Sequence, residues 1–217
     1  MAADTDGIQY MMDKFRDVPD GYLIDVGAHD GVAKGSMSRD LVVRGWGGLM
    51  IEPLPEAFSL LSTAYRDHPK VHCVQVICSD EGGVADLYPC KGVSTVDPAW
   101  AKACSDWWSH VKYGPPIQIK KRKLSTILNQ YEAPRHIHLL QIDTEGHDLH
   151  VLRGMDWDRT VDMVCVETLD MLSPERRING IWQPRPEMHA YLKSLRYRLD
   201  LLTSGGNGFY LREGFSG

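Results

Sequence analysis

Tyr22-Leu23-Ile24-Asp25-Val26-Gly27-Ala28-His29-Asp30-Gly31 opens as a short buried strand and closes as a turn of small and flexible residues. A ligand can rest against the carboxyl end of a strand only where the turn carries no bulky Cβ, a condition that Gly27 and Ala28 meet. Four more short apolar runs follow, at Gly48–Ile51, Val71–Ile77, His138–Ile142 and Val161–Val166. They are rich in Val, Ile and Leu and do not alternate strictly, which suits strands buried on both faces of a parallel sheet. Helix-like stretches separate them, at Ser36–Arg44, Pro55–Tyr65, Ser125–Tyr131 and His147–Arg153. Pro55 fits a first helical turn, and Gly154 fits a left-handed residue closing a helix. The alternation predicts an α/β, doubly wound sheet.

The chain's last part departs from that rhythm. Tyr197–Leu202 and Phe209–Arg212 are strand-like and joined only by Thr203-Ser204-Gly205-Gly206-Asn207-Gly208. A connection this short cannot make a parallel crossover, so the pair is antiparallel. With the five runs before it, this hairpin gives a mostly parallel seven-stranded sheet. Residues 1–217 are expected to form one domain. Residues 1–20 carry an amphipathic helix from about Asp6 to Arg16, with Thr5 or Asp6 as its cap. Segments 89–116 and 169–186 look irregular, and the first holds Trp100, Trp107, Trp108 and Tyr113. Insertions of this kind after strands form lids or substrate walls.

A formal net charge of -5 argues against a general nucleic-acid binder. The basic run Lys120–Lys123 reads as the solvated face of an edge strand. The five cysteines, Cys73, Cys78, Cys90, Cys104 and Cys165, contain no C-x-x-C pair, and three sit in apolar runs, so a reducing compartment is the simpler expectation. The N-terminus has neither a basic head nor an apolar stretch, and no run is long enough to span a bilayer. A cytoplasmic protein with no membrane partner is expected.

Neither a phosphate-binding G-x-x-x-x-G-K-[ST] loop nor a full G-x-G-x-x-G fingerprint is present, since position 29 is His. Glu52, followed by Pro53, ends the second strand, where a carboxylate can accept both hydroxyls of an adenosine ribose. Ser79 and Asp80, after the third strand, are placed to meet the adenine or to build a turn with Glu81-Gly82-Gly83. The fourth strand delivers Asp143-Thr144-Glu145-Gly146-His147-Asp148, and the fifth ends in Glu167. For attack by a hydroxyl, His147 titrates nearest neutrality and is the first candidate base, with Asp143, Glu145 and Glu167 as rivals or orienters. Asp143 or Glu145 can instead hold a divalent metal or cap the next helix, with His147 filling its first turn. His147 and His150 lack the pattern of a zinc pair.

These segments, in this order, resemble the FkbM family of methyltransferases. The likeness rests on Leu23–Gly31 with Gly45–Pro53, on Ser79-Asp80-Glu81-Gly82-Gly83, and on Leu140–Asp148 with Val151-Leu152-Arg153-Gly154. His29 stands where the family often has Asn, and Gln141 where Lys is usual, which removes a charge beside Asp143. The resemblance implies a Rossmann-like class I fold, in which the antiparallel hairpin separates methyltransferases from dinucleotide dehydrogenases. It implies S-adenosylmethionine bound by Asp25, Gly27, Ala28, His29, Asp30, Gly31, Glu52, Pro53, Ser79 and Asp80. It also implies O-methylation of a hydroxyl on a glycan, sugar or small secondary metabolite. The alternatives are a nicotinamide-dependent oxidoreductase and a binding module that keeps the fold without turnover.

Overall fold

A computed structural model describes residues 4–32 and 38–217. The expected helix over 36–44 lies partly outside them. In chain order the elements are α1 (Thr5–Lys14), β1 (Tyr22–Val26), α2 (Arg39–Val43), β2 (Gly47–Ile51), α3 (Pro55–Tyr65), β3 (Val71–Val74), β4 (Ile77–Ser79) and β5 (Gly83–Leu87). There follow α4 (Pro98–Trp107), β6 (Ile117–Lys123), α5 (Leu124–Gln130), β7 (His136–Ile142), α6 (Asp148–Arg153) and β8 (Thr160–Glu167). The small hairpin β9 (Arg177–Ile178) and β10 (Ile181–Trp182), then α7 (Pro186–Ser194), β11 (Tyr197–Leu202) and β12 (Asn207–Arg212), complete the chain.

The main sheet has seven strands in the order β11-β12-β8-β7-β1-β2-β3. The pairs β3–β2, β2–β1, β1–β7 and β7–β8 are parallel, whereas β12 runs antiparallel to both β8 and β11. The closing hairpin is therefore as expected, with its second strand inserted next to β8. Burial explains the apolar runs. Ile24, Val26, Leu140, Ile142, Val164 and Val166 face a core covered by α5, α6 and α7. The alternate residues Leu23, Met50, Leu139, Met163 and Cys165 face a second core with Met11, Leu41 and Leu61 of α1, α2 and α3. Both faces of the sheet are dry, so neither needs polar alternation.

Four expectations need correction. The run Val71–Ile77 is not one strand. It divides at Gln75–Val76, and β4 joins a separate three-stranded sheet, β4-β6-β5. Lys120–Lys123 lies on β6, the central strand of that sheet and not an edge. Asp4, rather than Thr5 or Asp6, caps α1, accepting the Gly7 N–H at 3.1 Å. Gly154 closes α6 with φ -74, a right-handed conformation. Its need for glycine is spatial, because a Cβ there would lie 1.9 Å from the Ser79 carbonyl oxygen.

The two irregular segments contain more order than the sequence suggested. Asp97 caps α4 by accepting the Ala99 N–H at 2.8 Å and the Trp100 N–H at 3.3 Å. Val93, Trp100, Cys104 and Val111 from the first segment pack with Leu169, Met171 and Trp182 from the second. The two segments thus share one small core of their own, set above the carboxyl ends of β7 and β8. All five cysteines are free thiols. No helix among the described residues is long and apolar enough to cross a membrane.

Candidate active site

The parallel strands end together at one edge of the sheet, where open α/β sheets bind their ligands. A cleft lies there, open to solvent on one side and lined by residues that follow β1, β2 and β7 and by residues of β4. Gly27, His29, Glu52, Pro53, Asp143, Glu145 and His147 all line it, so seven of the residues singled out in the sequence converge. Asp25, Ala28 and Ser79 are buried beside this surface. Asp30 faces a neighbouring pocket that begins at His29.

The floor is a close meeting of β1 and β7. Gly27 has φ 90, and a Cβ on it would lie 1.8 Å from the Asp143 carbonyl oxygen, so both dihedral and space require glycine. The amides of this turn are engaged within the protein. Gly27 and Ala28 donate to the Ile51 carbonyl at 2.9 and 3.1 Å, and the His29 amide donates to Glu52 Oε2 at 2.9 Å. The first two amides thus tie the turn to the end of β2, and the third places Glu52. Glu52 Oε1 accepts the Leu54 N–H at 2.8 Å, so each oxygen is fixed by one amide and retains acceptor capacity. Burial raises the Glu52 pKa, opposed by these two hydrogen bonds. Asp25 lies beneath the turn and accepts the Ser38 hydroxyl. Burial pushes its pKa up to about 6.

Val76, Ile77, Cys78, Leu87 and Val96 form the cleft's apolar wall, which sequence reasoning missed. The signal was present in the run Val71–Ile77, but its division between two sheets concealed which end faced the cleft. On this side His147 Nε2 pairs with Ser79 Oγ at 3.0 Å, and His150 Nδ1 with Asp80 Oδ2 at 3.0 Å. The two imidazoles stack with centroids 4.6 Å apart. Burial, then the neighbouring His150, pushes the His147 pKa down to about 4. His147 is thus a neutral ring engaged with Ser79. It occupies the N-cap position of α6 without a side-chain cap bond, and neither Asp143 nor Glu145 caps that helix.

Asp143 and Glu145 bring carboxylates to the cleft, and Glu167 lies beside them. Asp143 Oδ1 and Glu167 Oε2 are buried without a hydrogen-bond partner among the described residues. Glu145 adopts the left-handed φ 51 and is fixed from segment 89–116, its carbonyl accepting the Thr95 hydroxyl at 2.7 Å and its Oε2 the Trp100 indole N–H at 3.2 Å. Burial and then nearby carboxylates raise the pKa of all three, that of Asp143 to about 7. Asp148 is wholly buried, and its Oδ1 accepts both the Thr144 amide and hydroxyl, at 3.0 and 3.1 Å. Arg185, which the sequence reading did not select, donates to Asp148 and to the Glu167 carbonyl at 3.1 Å, with its guanidinium 5.6 Å from the Trp100 ring.

A seven-stranded sheet with one antiparallel strand beside β8, and an acidic residue at the end of β2, defines the class I methyltransferase fold. The chain belongs to the FkbM methyltransferase family: the family model for the methyltransferase FkbM domain matches residues 25–199. S-adenosylmethionine is the methyl donor implied by family and fold. Methyltransferase 1 of Beauveria bassiana (strain ARSEF 2860) is 26% identical over 188 residues, covering 75% of this chain and 72% of that protein. The crystal structure of methyltransferase FkbM from Methylobacillus flagellatus KT superposes with a TM-score of 0.55 at 14% identity, over 89% of this chain. The present chain spans 44% of that longer one. Family and strand order together set aside the nicotinamide-dependent alternative.

Proposed function

We propose that this protein transfers a methyl group from S-adenosylmethionine to a hydroxyl of a sugar, glycan or small secondary metabolite. The observation that carries this reading is Glu52, whose two oxygens are oriented by the His29 and Leu54 amides at the mouth of an apolar-walled cleft. Glu52 would accept the two ribose hydroxyls, with Pro53 and the Asp25–Gly31 turn fixing its position. Val76 to Cys78 would flank the adenine, with Ser79, Asp80 and His147 at the edge. Bound there, the donor supplies an electrophilic methyl on a positively charged sulfur.

The carboxylates of Asp143, Glu145 and Glu167 would receive the acceptor. The acceptor oxygen forms the new O–CH₃ bond as the S–CH₃ bond breaks. The bonding pair stays on sulfur, which becomes a neutral thioether, and the hydroxyl proton passes to a carboxylate. In-line positioning provides much of the acceleration, and a general base contributes on the order of 10²–10⁴. Segments 89–116 and 169–186 would form the acceptor wall, their tryptophans offering flat surfaces to a ring. The net charge of -5 supports an acceptor other than a nucleic acid, and five free thiols support a cytoplasmic setting.

Calorimetry with S-adenosylhomocysteine tests the reading. Wild type should bind it, and Glu52→Ala should weaken binding by about 10²-fold, as expected for two hydrogen bonds to a charged acceptor. Equal affinity in the two proteins would refute it. Donor binding with no methylation across a broad panel of hydroxylated acceptors would favour a non-catalytic binding module.

A further inference from the structure

Asp143, Glu145 and Glu167 come from the carboxyl ends of β7 and β8, and one oxygen of each lies within 4.8 Å of the others. An acidic cluster alone says little. Here a second observation identifies what it is built to hold. Glu167 is only 5% exposed, and its Oε2, like Asp143 Oδ1, has no hydrogen-bond partner among the described residues. Buried carboxylate oxygens are normally paired with donors or cations. The nearby guanidinium of Arg185 is already directed at Asp148 and the Glu167 carbonyl. One positive charge therefore faces four carboxylates, those of Asp143, Glu145, Asp148 and Glu167.

We propose that Asp143, Glu145 and Glu167 form a divalent-cation site of the hard, oxygen-binding class that takes Mg²⁺, Mn²⁺ or Ca²⁺. Three carboxylate ligands match that class, whereas zinc and copper sites favour imidazole or thiolate. The spacing agrees. Metal–oxygen bonds of about 2.0–2.6 Å put opposing ligand oxygens roughly 4–5 Å apart. Glu145 is fixed by Trp100 and Thr95, so its orientation does not depend on the ion. The positions left open by three protein ligands would face the acceptor, a consequence that rests on the proposed methyl-transfer reading. An ion there would bind the hydroxyl oxygen and favour transfer of its proton to a carboxylate oxygen that does not hold the ion.

The other group with metal-ligand spacing, His136, His138 and Asp162, is a useful contrast. His138 Nδ1 accepts the Tyr22 amide at 3.1 Å, so the neutral ring carries its proton on Nε2. Asp162 is shared by Arg212 at 3.0 Å and His136 at 2.6 Å. Those donor atoms are already used.

The test is titration of the protein with Mn²⁺ alone, followed by electron paramagnetic resonance of the free ion and by thermal melting with and without chelator. Wild type should bind one Mn²⁺ per chain and melt higher in its presence. Asp143→Asn and Glu167→Gln should each weaken binding at least about 10-fold, while His138→Gln should leave it intact. Glu167→Gln should melt no lower than wild type in chelator, since it removes a buried charge, yet lose the Mn²⁺-dependent rise. Absence of Mn²⁺ binding at millimolar concentration, or binding unaffected by both carboxylate substitutions, would overturn the proposal. Calorimetry with S-adenosylhomocysteine in chelator keeps the two readings separate. Donor binding without Mn²⁺ binding sinks only the cation site, and the reverse result sinks only the methyl-transfer reading.

Discussion

Replacing Gly154 with alanine should destabilise this protein, although helix propensity predicts the opposite. At φ -74 alanine is comfortable, and in a helical conformation it is normally favoured over glycine by roughly 0.5–1 kcal/mol. The obstacle is the neighbouring strand. The new Cβ would lie 1.9 Å from the Ser79 carbonyl oxygen, against ordinary contacts of 3.4 Å or more. The end of α6 and β4 must therefore separate by about 1.5 Å. Neither side is free to move, because Gly154 O accepts the Ser125 amide at 2.9 Å and β4 is paired with β6. Overpacking of this kind costs about 1–3 kcal/mol, and two fixed backbones place it near 3. For a chain of this size that lowers Tm by roughly 6–12 °C. The same separation pulls Ser79 from His147, so affinity for S-adenosylhomocysteine should fall as well. Thermal melts of Gly154→Ala and Gly154→Asn, with calorimetry on each, decide the matter. A left-handed cap would tolerate Asn almost as well as Gly, whereas a close approach rejects both. An asparagine variant melting within about 2 °C of wild type would refute the reasoning.

Two other perturbations follow from buried charge. Asp25 titrates near 6 in the folded chain, above its ordinary value of 3.8, because burial disfavours its charged form. The folded state thus holds a proton that the unfolded state has released, and stability falls as pH rises from about 4 to 6, by up to roughly 3 kcal/mol. Asp25→Asn keeps an acceptor for Ser38 and removes this slope. Its Tm relative to wild type should climb between pH 4 and 7, and a pH-independent difference would contradict the assignment. Arg185→Met leaves the wholly buried Asp148 without its cation and should cost about 3–5 kcal/mol in urea denaturation. Adding Asp148→Asn should recover part of that loss, so strictly additive effects in the double-mutant cycle would refute the pairing.

The main sheet was legible because burial on both faces produces uninterrupted apolar runs, and β1 begins and ends where the sequence places it. The second sheet was hidden by the same signal. Val74 and Ile77 are both buried, but in different cores, and hydrophobicity reports burial without saying which core receives the residue. On β6 the alternation of Ile117 and Ile119 with the polar Gln118 and Lys120 was visible, but a lysine-rich face looks alike on a central and an edge strand when one side is wet. Glu52 and Asp143 could be placed from their positions at strand ends. Arg185 and Trp100 could not, because they reach Asp148 and Glu145 across 37 and 45 residues, from two segments whose packing has no local pattern.

Segment 89–116 also holds one of these carboxylates, Glu145, in place. Gly146, at φ 96, has no Cβ, and one built there would lie 2.7 Å from the Trp100 ring, so the indole lies directly against the turn that carries Glu145. The indole N–H meets the Glu145 carboxylate, and the Arg185 guanidinium lies by the same ring. α4 thereby contributes a donor to Glu145 and a ring face for the Arg185 guanidinium in a single residue. Left-handed backbone at Glu145 is a local cost of order 1–3 kcal/mol, which the Thr95 and Trp100 hydrogen bonds must offset. Loosening the core of Trp100, Leu169 and Trp182 would therefore weaken the contact that the indole makes with this left-handed turn.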